Sequence, residues 1–427
     1  MAGVHVSRRT FIRTVTGGMV GGAMLYAFPP DARAKYILAL DETVDPADES
    51  FWGFVRGQFP LSRDVTYLNN GTMGPSPYVV IDAVKSEMEE VDRLGRYGGW
   101  DAARPKLAAF VNAAEEEIAL THNVTEGICI VAAGLPLRAG DEVILTDQEH
   151  AGNAIPWLAR ARRDAIVIRY FSPAPTAAGT LERISALINS RTRVIAVPHV
   201  TCTTGHVLPG AAISALGREK GIWVMLDAAH TAGMMPLDVK ALGCDFLASC
   251  GHKWLLGPKG TGFLYVRKEM VEVLEPHWVG GGVDTAWDVR KGTLTLRTDA
   301  RRFDFATQSS ALYVGLGAAI DFLHHLGIEN VARRGRSLAG RLRSRLQELG
   351  DRVEILTPSE EGGYGSVLGF RLKHYPFDRL QQLLLEKHGI VTRAVPENGL
   401  NSNRLSTHCY NTPAEVDRVA DIIRSVA

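Results

Sequence analysis

From residue 117 onward the chain alternates short apolar runs with amphipathic stretches. The runs at 142–145, 165–170, 193–197 and 222–226 are bounded by turn residues and predict buried strands. Helical periodicity fills most of the gaps, at 151–163, 181–189 and 211–220. Two further apolar runs, 244–249 and 262–266, bracket the loop Gly251-His252-Lys253-Trp254-Leu255-Leu256-Gly257-Pro258-Lys259-Gly260. Strands alternating with helices imply right-handed crossovers and a mainly parallel sheet covered on both faces, an α/β fold. In such sheets ligands sit beyond the carboxyl ends of the strands. Upstream, 41–50 is acidic and reads as a linker, and 51–59 is aromatic and reads as an arm packed on the body. The stretch 67–77 is a strand end followed by dense turn residues, and Pro77 opens a helical pattern through 91. Toward the C-terminus helical patterns at 318–326 and 333–349 precede strand-like pieces at 352–356 and 367–372 and a helix at 378–388.

The 427 residues are enough for two or three domains with a sizeable core. The 47 lysines and arginines balance the 47 acids, which gives no reason to propose a nucleic-acid partner. The five cysteines are scattered, with no CxxC pair or zinc spacing. His199, Cys202 and His206 lie close together but lack a matching pair, so they read as packing and no metal is expected. At the N-terminus, Ser7-Arg8-Arg9-Thr10-Phe11-Ile12-Arg13 resembles the twin-arginine export motif. A Gly-rich, mildly apolar run over 15–28 and the A-x-A pattern Ala32-Arg33-Ala34 follow it. Residues 1–34 therefore read as a signal peptide, implying a folded protein handed to the twin-arginine machinery and a periplasmic or other extracytoplasmic location.

Candidate chemistry gathers at the predicted strand ends. Burial would strip solvation from the Lys253 ammonium, and a neutral amine attacks a carbonyl. Asp227 ends an apolar strand, where an unpaired carboxylate is costly and calls for a cation, although it could also cap the next helix. His230 lies one turn on and could reach the same ligand. In Thr121-His122-Asn123-Val124-Thr125-Glu126-Gly127, either Asn123 or Thr125 could cap the helix that follows, leaving N–H groups suited to phosphate. His150 follows the 142–145 strand, where a flat imidazole could lie on a planar ring or simply satisfy a loop. An amine, a buried acid and a phosphate cradle are together what a pyridoxal phosphate enzyme requires. No G-x-G-x-x-G follows a first strand, so a nucleotide-binding dehydrogenase ranks last.

With these residues in place, the chain resembles the class V aminotransferase family of fold-type I pyridoxal phosphate enzymes. Its nearest likeness is the isopenicillin N epimerase-like branch, beside the cysteine desulfurases. The motifs that carry the resemblance are Asn123-Val-Thr-Glu126, Glu149-His150, Asp227-Ala-Ala-His230, Gly251-His-Lys-Trp254 and Arg404-Leu-Ser-Thr-His-Cys-Tyr-Asn411. The resemblance implies a large cofactor-binding domain over 67–308 with a mainly parallel seven-stranded sheet. It also implies a linker and arm over 35–66 and a small α+β domain over 309–427 that closes on the substrate. It makes Lys253 the Schiff-base lysine and proton shuttle, Asp227 the partner of the pyridinium nitrogen and His230 a contact of the ring's phenolic oxygen. His150 would stack on the ring, while Thr125, His252 and the backbone near Glu126 would bind phosphate. Cys250 stands where many relatives have a phosphate-binding serine, and a thiol is a weak donor. Thr307 matches a threonine that reaches the neighbouring subunit's phosphate, implying a homodimer.

Arg404 matches the arginine that clamps the substrate α-carboxylate, with Arg393 and Asn70 as further substrate-binding candidates. Cysteine desulfurases carry a nucleophilic cysteine on the loop before this arginine, whereas between Arg393 and Arg404 this chain has none. Persulfide chemistry is therefore disfavoured. The expected function is an exported enzyme working at the α-carbon of an amino acid or peptide-like amine, by epimerisation, transamination or β-elimination. A binding module that keeps the fold without catalysis is the alternative from another class.

Overall fold

The computed structural model describes residues 45–96 and 99–427; the expected signal peptide and the linker as far as residue 44 lie outside the described residues. The aromatic arm is helix α1 (Glu49–Arg56), capped by Asp48 and buried through Phe51, Trp52 and Val55. A short strand, β1 (Thr66–Tyr67), leads into the turn-rich stretch, and α2 (Tyr78–Leu94) starts directly after Pro77. Helix α3 (Ala103–Val111) completes this entry segment.

Seven strands form the central sheet: β2 (Ile118–Thr121), β3 (Glu142–Thr146), β4 (Val167–Phe171), β5 (Thr192–Pro198), β6 (Trp223–Asp227), β7 (Phe246–Cys250) and β8 (Gly262–Val266). Their order is β2-β8-β7-β6-β5-β3-β4. From β7 to β4 every pair is parallel, while β8 runs antiparallel to both its neighbours. Helices α4 (Val124–Gly134), α5 (Ala151–Asp164), α6 (Ala177–Leu187), α7 (Gly210–Lys220) and α8 (Val239–Leu242) connect or flank the strands. Side chains alternate between two apolar clusters: Ile144, Ile195, Val197, Leu226 and Leu247 enter one. Val143, Val194, Ala196, Met225 and Phe246 enter the other. A strand buried on both faces has no polar side to show, which is why these runs read as continuous apolar stretches.

Strand β4 starts at Val167, two residues later than the pattern suggested. Ala165 takes a left-handed conformation (φ 57°) to end α5 and cannot begin a strand. A hairpin, β9 (Asp284–Asp288) and β10 (Thr293–Leu296), was not legible because its large side chains, Trp287 and Leu294, face outward.

Helices α9 (Ser310–Leu326) and α10 (Ile328–Gln347) lead to a second sheet. Its elements are β11 (Val353–Ile355), β12 (Val367–Leu372), α11 (Phe377–His388), β13 (Ile390–Val391), β14 (Arg393–Val395), β15 (Ser402–Ser406) and α12 (Pro413–Val426). Strands β11-β12-β15-β14 form a four-stranded antiparallel sheet, and β13 pairs with β1 in parallel. That last pairing brings the turn-rich stretch after β1 beside β15, where Asn69 bridges to Ser406.

Candidate active site

Strands β6 and β7 end side by side and deliver an acid and an amine to one place. Asp227, the last residue of β6, is buried, and among the described residues its carboxylate accepts only the Ala229 amide, at 2.8 Å. Burial pushes its pKa up, against the pull of that amide and of Lys253. Strand β7 finishes at Cys250, and a tight turn follows, closed by Gly251 N–H to the Thr261 carbonyl and Gly257 N–H to the Gly251 carbonyl, both at 2.8 Å. Lys253 sits in that turn, 7% exposed, with Nζ 3.4 Å from His230 Nε2. The indole Nε1 of Trp254 donates to His230 Nδ1 at 3.3 Å. Because an indole can only donate, Nδ1 is the acceptor and the neutral ring carries its proton on Nε2, where it faces the lysine ammonium as donor to donor until a ligand oxygen comes between them. Burial holds His230 well below its ordinary pKa, helped by the charge of Lys253, so the ring is neutral. It is a ready donor for an oxygen at the lysine end of the site.

The turn after β1 closes over the lysine loop. Gly74 N–H donates to the His252 carbonyl at 2.7 Å, and a Cβ at Gly74 would stand 2.1 Å from the Lys253 carbonyl oxygen. Only glycine permits that approach.

At the opposite side the N-termini of α4 and α5 converge. Asn123, not Thr125, caps α4, with Oδ1 accepting the Glu126 N–H at 2.9 Å. The Glu126 carboxylate is turned to His122, accepting its backbone N–H and lying 2.8 Å from Nδ1. The Glu126 amide and carboxylate are thus both engaged within the helix start. Thr125 faces α5: a Cβ at Gly152 would lie 2.6 Å from its hydroxyl. His150 caps α5 through Nδ1, which accepts the Gly152 N–H at 2.9 Å, and burial and then the charge of Lys253 lower its pKa to about 4. His252, also lowered to about 4 by burial, keeps a buried Nδ1 with no partner among the described residues. Cys250 is buried behind the lysine turn and its thiol is pushed up to about 11 by desolvation. Thr307 is exposed, facing away from this chain's own interior.

The other end of the site is built by the second sheet. Arg404 on β15 is 1% exposed. Its Nη1 donates to the Cys202 carbonyl at 2.7 Å, and Nη2 donates to Asn69 Oδ1 at 2.9 Å and Thr72 Oγ1 at 2.8 Å. All three acceptors are neutral, and Nε has no partner among the described residues. Desolvation, then repulsion from Arg393, brings the guanidinium down to about 9. Arg393 lies directly opposite on β14 and is ion-paired to Glu397. Asn70 Oδ1 accepts the Tyr410 hydroxyl at 3.0 Å, while its buried Nδ2 has no partner among the described residues. His199 Nδ1 is 3.1 Å from Thr231 Oγ1, and no metal-ready group of three or more His, Cys, Asp or Glu occurs among the described residues.

Residues 83–419 match the family Aminotransferase class-V. The chain belongs to that family. It is 32% identical over 396 residues to a probable cysteine desulfurase of Methanothermobacter thermautotrophicus, covering 87% of this chain and 97% of that one. It is 32% identical over 408 residues to the isopenicillin N epimerase of Amycolatopsis lactamdurans, covering 88% and 98%. Among solved structures, the cystine C–S lyase C-DES, captured with its product cysteine persulfide, superposes with a TM-score of 0.78 at 29% identity, covering 85% of this chain and 99% of that one. A C-DES mutant has been solved with glycine covalently linked to its PLP cofactor.

The fold is therefore that of a fold-type I enzyme, and its cofactor is pyridoxal 5'-phosphate. The residues present fit that group. A buried acid with no ion-pair partner among the described residues and a buried lysine beside a neutral histidine donor meet at neighbouring strand ends, and His252, next to that lysine, keeps an orphaned ring nitrogen. Sequence reasoning missed Asn69, Thr72 and the Cys202 carbonyl as holders of Arg404, and Trp254 as the residue that sets the His230 tautomer. The turn chemistry of Asn69-Asn70-Gly71-Thr72 was the one available signal, and it pointed one residue away from Asn69.

Proposed function

We propose that this enzyme removes and returns the α-proton of an amino acid or peptide-like amine, in the manner of an isopenicillin N epimerase. The carrying observation is Arg404: a fully buried guanidinium held only by neutral acceptors is costly unless an acid joins it. A substrate carboxylate supplies that acid in bidentate form. Lys253 would bond the cofactor aldehyde and then carry the α-proton on Nζ, while Asp227 would offer a negative charge to the ring nitrogen. When bound, the cofactor supplies an electron sink for the pair left on the α-carbon. The neutral His230 donor would hold the ring oxygen.

The absence of a cysteine over 394–403 supports epimerisation, transamination or elimination over persulfide transfer. Cys202 contributes its carbonyl to Arg404, and burial pushes its thiol up, away from the nucleophilic thiolate. A β-lyase is the second reading, favoured by the likeness to C-DES. Incubating the holoenzyme with L- and D-amino acids in deuterated water separates the outcomes. Exchange with inversion supports epimerisation, keto acid with amine transfer supports transamination, and loss of the β-substituent supports elimination. No α-exchange with any of them refutes the proposal.

The exposed apolar side chains Trp278, Val279, Trp287, Val289 and Leu294, with the outward Thr307, support a homodimer joined on this face. The Ser7–Arg13 pattern supports twin-arginine export, for which changing Arg8 and Arg9 to lysine should retain the protein in the cytoplasm.

A further inference from the structure

Arg393 and Arg404 occupy directly opposed positions on β14 and β15, and both guanidinium groups point to the same acceptor, the Cys202 carbonyl, at 3.5 and 2.7 Å. Two like charges at such a cross-strand site repel. The fold answers with a single acid, Glu397, which ion-pairs with Arg393 from the loop joining the two strands. The loop itself is fastened. Asn398 adopts a left-handed conformation (φ 50°), and its Nδ2 donates to the Asp147 carbonyl in the loop that carries His150. Both arginines and Glu397 lie close enough to the His150 imidazole to act on its charge. The second carboxylate oxygen of Glu397 is buried with no partner among the described residues. Two arginines and one glutamate leave a net charge of one, and the free positive charge is on Arg404.

We propose that Glu397 sets how many carboxylates a substrate brings to this site: it occupies Arg393, leaves Arg404 for one α-carboxylate, and repels a second carboxylate on the side chain. The proposal rests on the reading of Arg404 as the carboxylate clamp. It predicts that the enzyme prefers amino acids with neutral side chains over aspartate and glutamate. Replacing Glu397 by glutamine keeps the shape of the loop and frees the Arg393 guanidinium, so the site then offers two positive charges.

The test measures dissociation constants of the holoenzyme for alanine, aspartate and glutamate, by calorimetry and by the change in cofactor absorbance. Wild type should bind alanine at least tenfold more tightly than either diacid. E397Q should reduce that ratio at least tenfold, and R393Q/E397Q should return it toward the wild-type value, because the freed guanidinium is gone. The double variant also separates this from loop damage, which would weaken all ligands and would not be reversed by a second substitution. An unchanged ratio in E397Q, or a wild type that already binds diacids as well as alanine, overturns the role of Glu397 while leaving the clamp intact. Failure of every amino acid to bind wild type overturns the clamp and this proposal together.

Discussion

The two ends of the site are made differently. The cofactor end comes from one sheet: Asp227 and Lys253 follow neighbouring parallel strands, and their positions are locked by apolar clusters on both faces. The carboxylate end is assembled from parts remote in sequence: Asn69 and Thr72 after β1, Cys202 after β5, and Arg404 and Arg393 on the second sheet. A reaction common to many substrates needs the first kind of construction, in which nothing shifts. Substrate choice suits the second, where small displacements of a loop change the charge and shape offered to a ligand.

Substitutions at each end should therefore fail in different ways. At the cofactor end, Lys253→Ala should abolish the covalent link to the cofactor, seen by mass spectrometry after borohydride reduction, and lower α-proton exchange by about 10³-fold or more. Retention of the adduct would break the assignment of the amine. At the carboxylate end, Arg404→Ala should leave cofactor content intact and weaken amino-acid binding by about 100-fold, as expected for losing one member of a desolvated charge pair. Equal affinity in the mutant would remove the distinction between the ends.

A pH titration sharpens the same contrast. A guanidinium pairs with a carboxylate only when protonated, and burial lowers the pKa of Arg404 to about 9. Affinity for a simple carboxylate inhibitor that carries no amine should be level below about pH 9 and fall as pH rises through it, by up to about tenfold per unit. Binding that stays level to pH 10.5 would contradict the uncompensated guanidinium. The smallest effect is expected from Trp254→Phe, which removes the donor to His230 Nδ1 and frees the other tautomer. A loss of about one hydrogen bond, roughly 1 kcal/mol, should slow exchange several-fold and alter the cofactor absorbance without changing carboxylate affinity.

This division also explains what was legible in the sequence. Strands buried on both faces announce themselves as apolar runs, and the polar residues at their ends, Asp227, His230 and Lys253, stand out against them. The cradle around Arg404 left no such trace. A backbone carbonyl such as that of Cys202 has no sequence signature, and Asn69 differs from Asn70 only in the direction in which the turn aims its side chain. The helix start at Asn123 allowed two caps, and only the backbone geometry chose between them. The outward hairpin β9–β10 was hidden for the opposite reason, since Trp287 and Leu294 do not mark a buried face.

Trp254 also stacks on His408 (centroids 5.6 Å apart, rings inclined by 24°), and His408 lies parallel to Tyr410 (5.6 Å), while His408 Nε2 lies 3.2 Å from the Trp254 carbonyl. These rings join the residue after Lys253 to the segment just beyond Arg404, so the span between amine and guanidinium is held like the jaws of a caliper. Moving either jaw without the other would have to pry apart that three-ring stack.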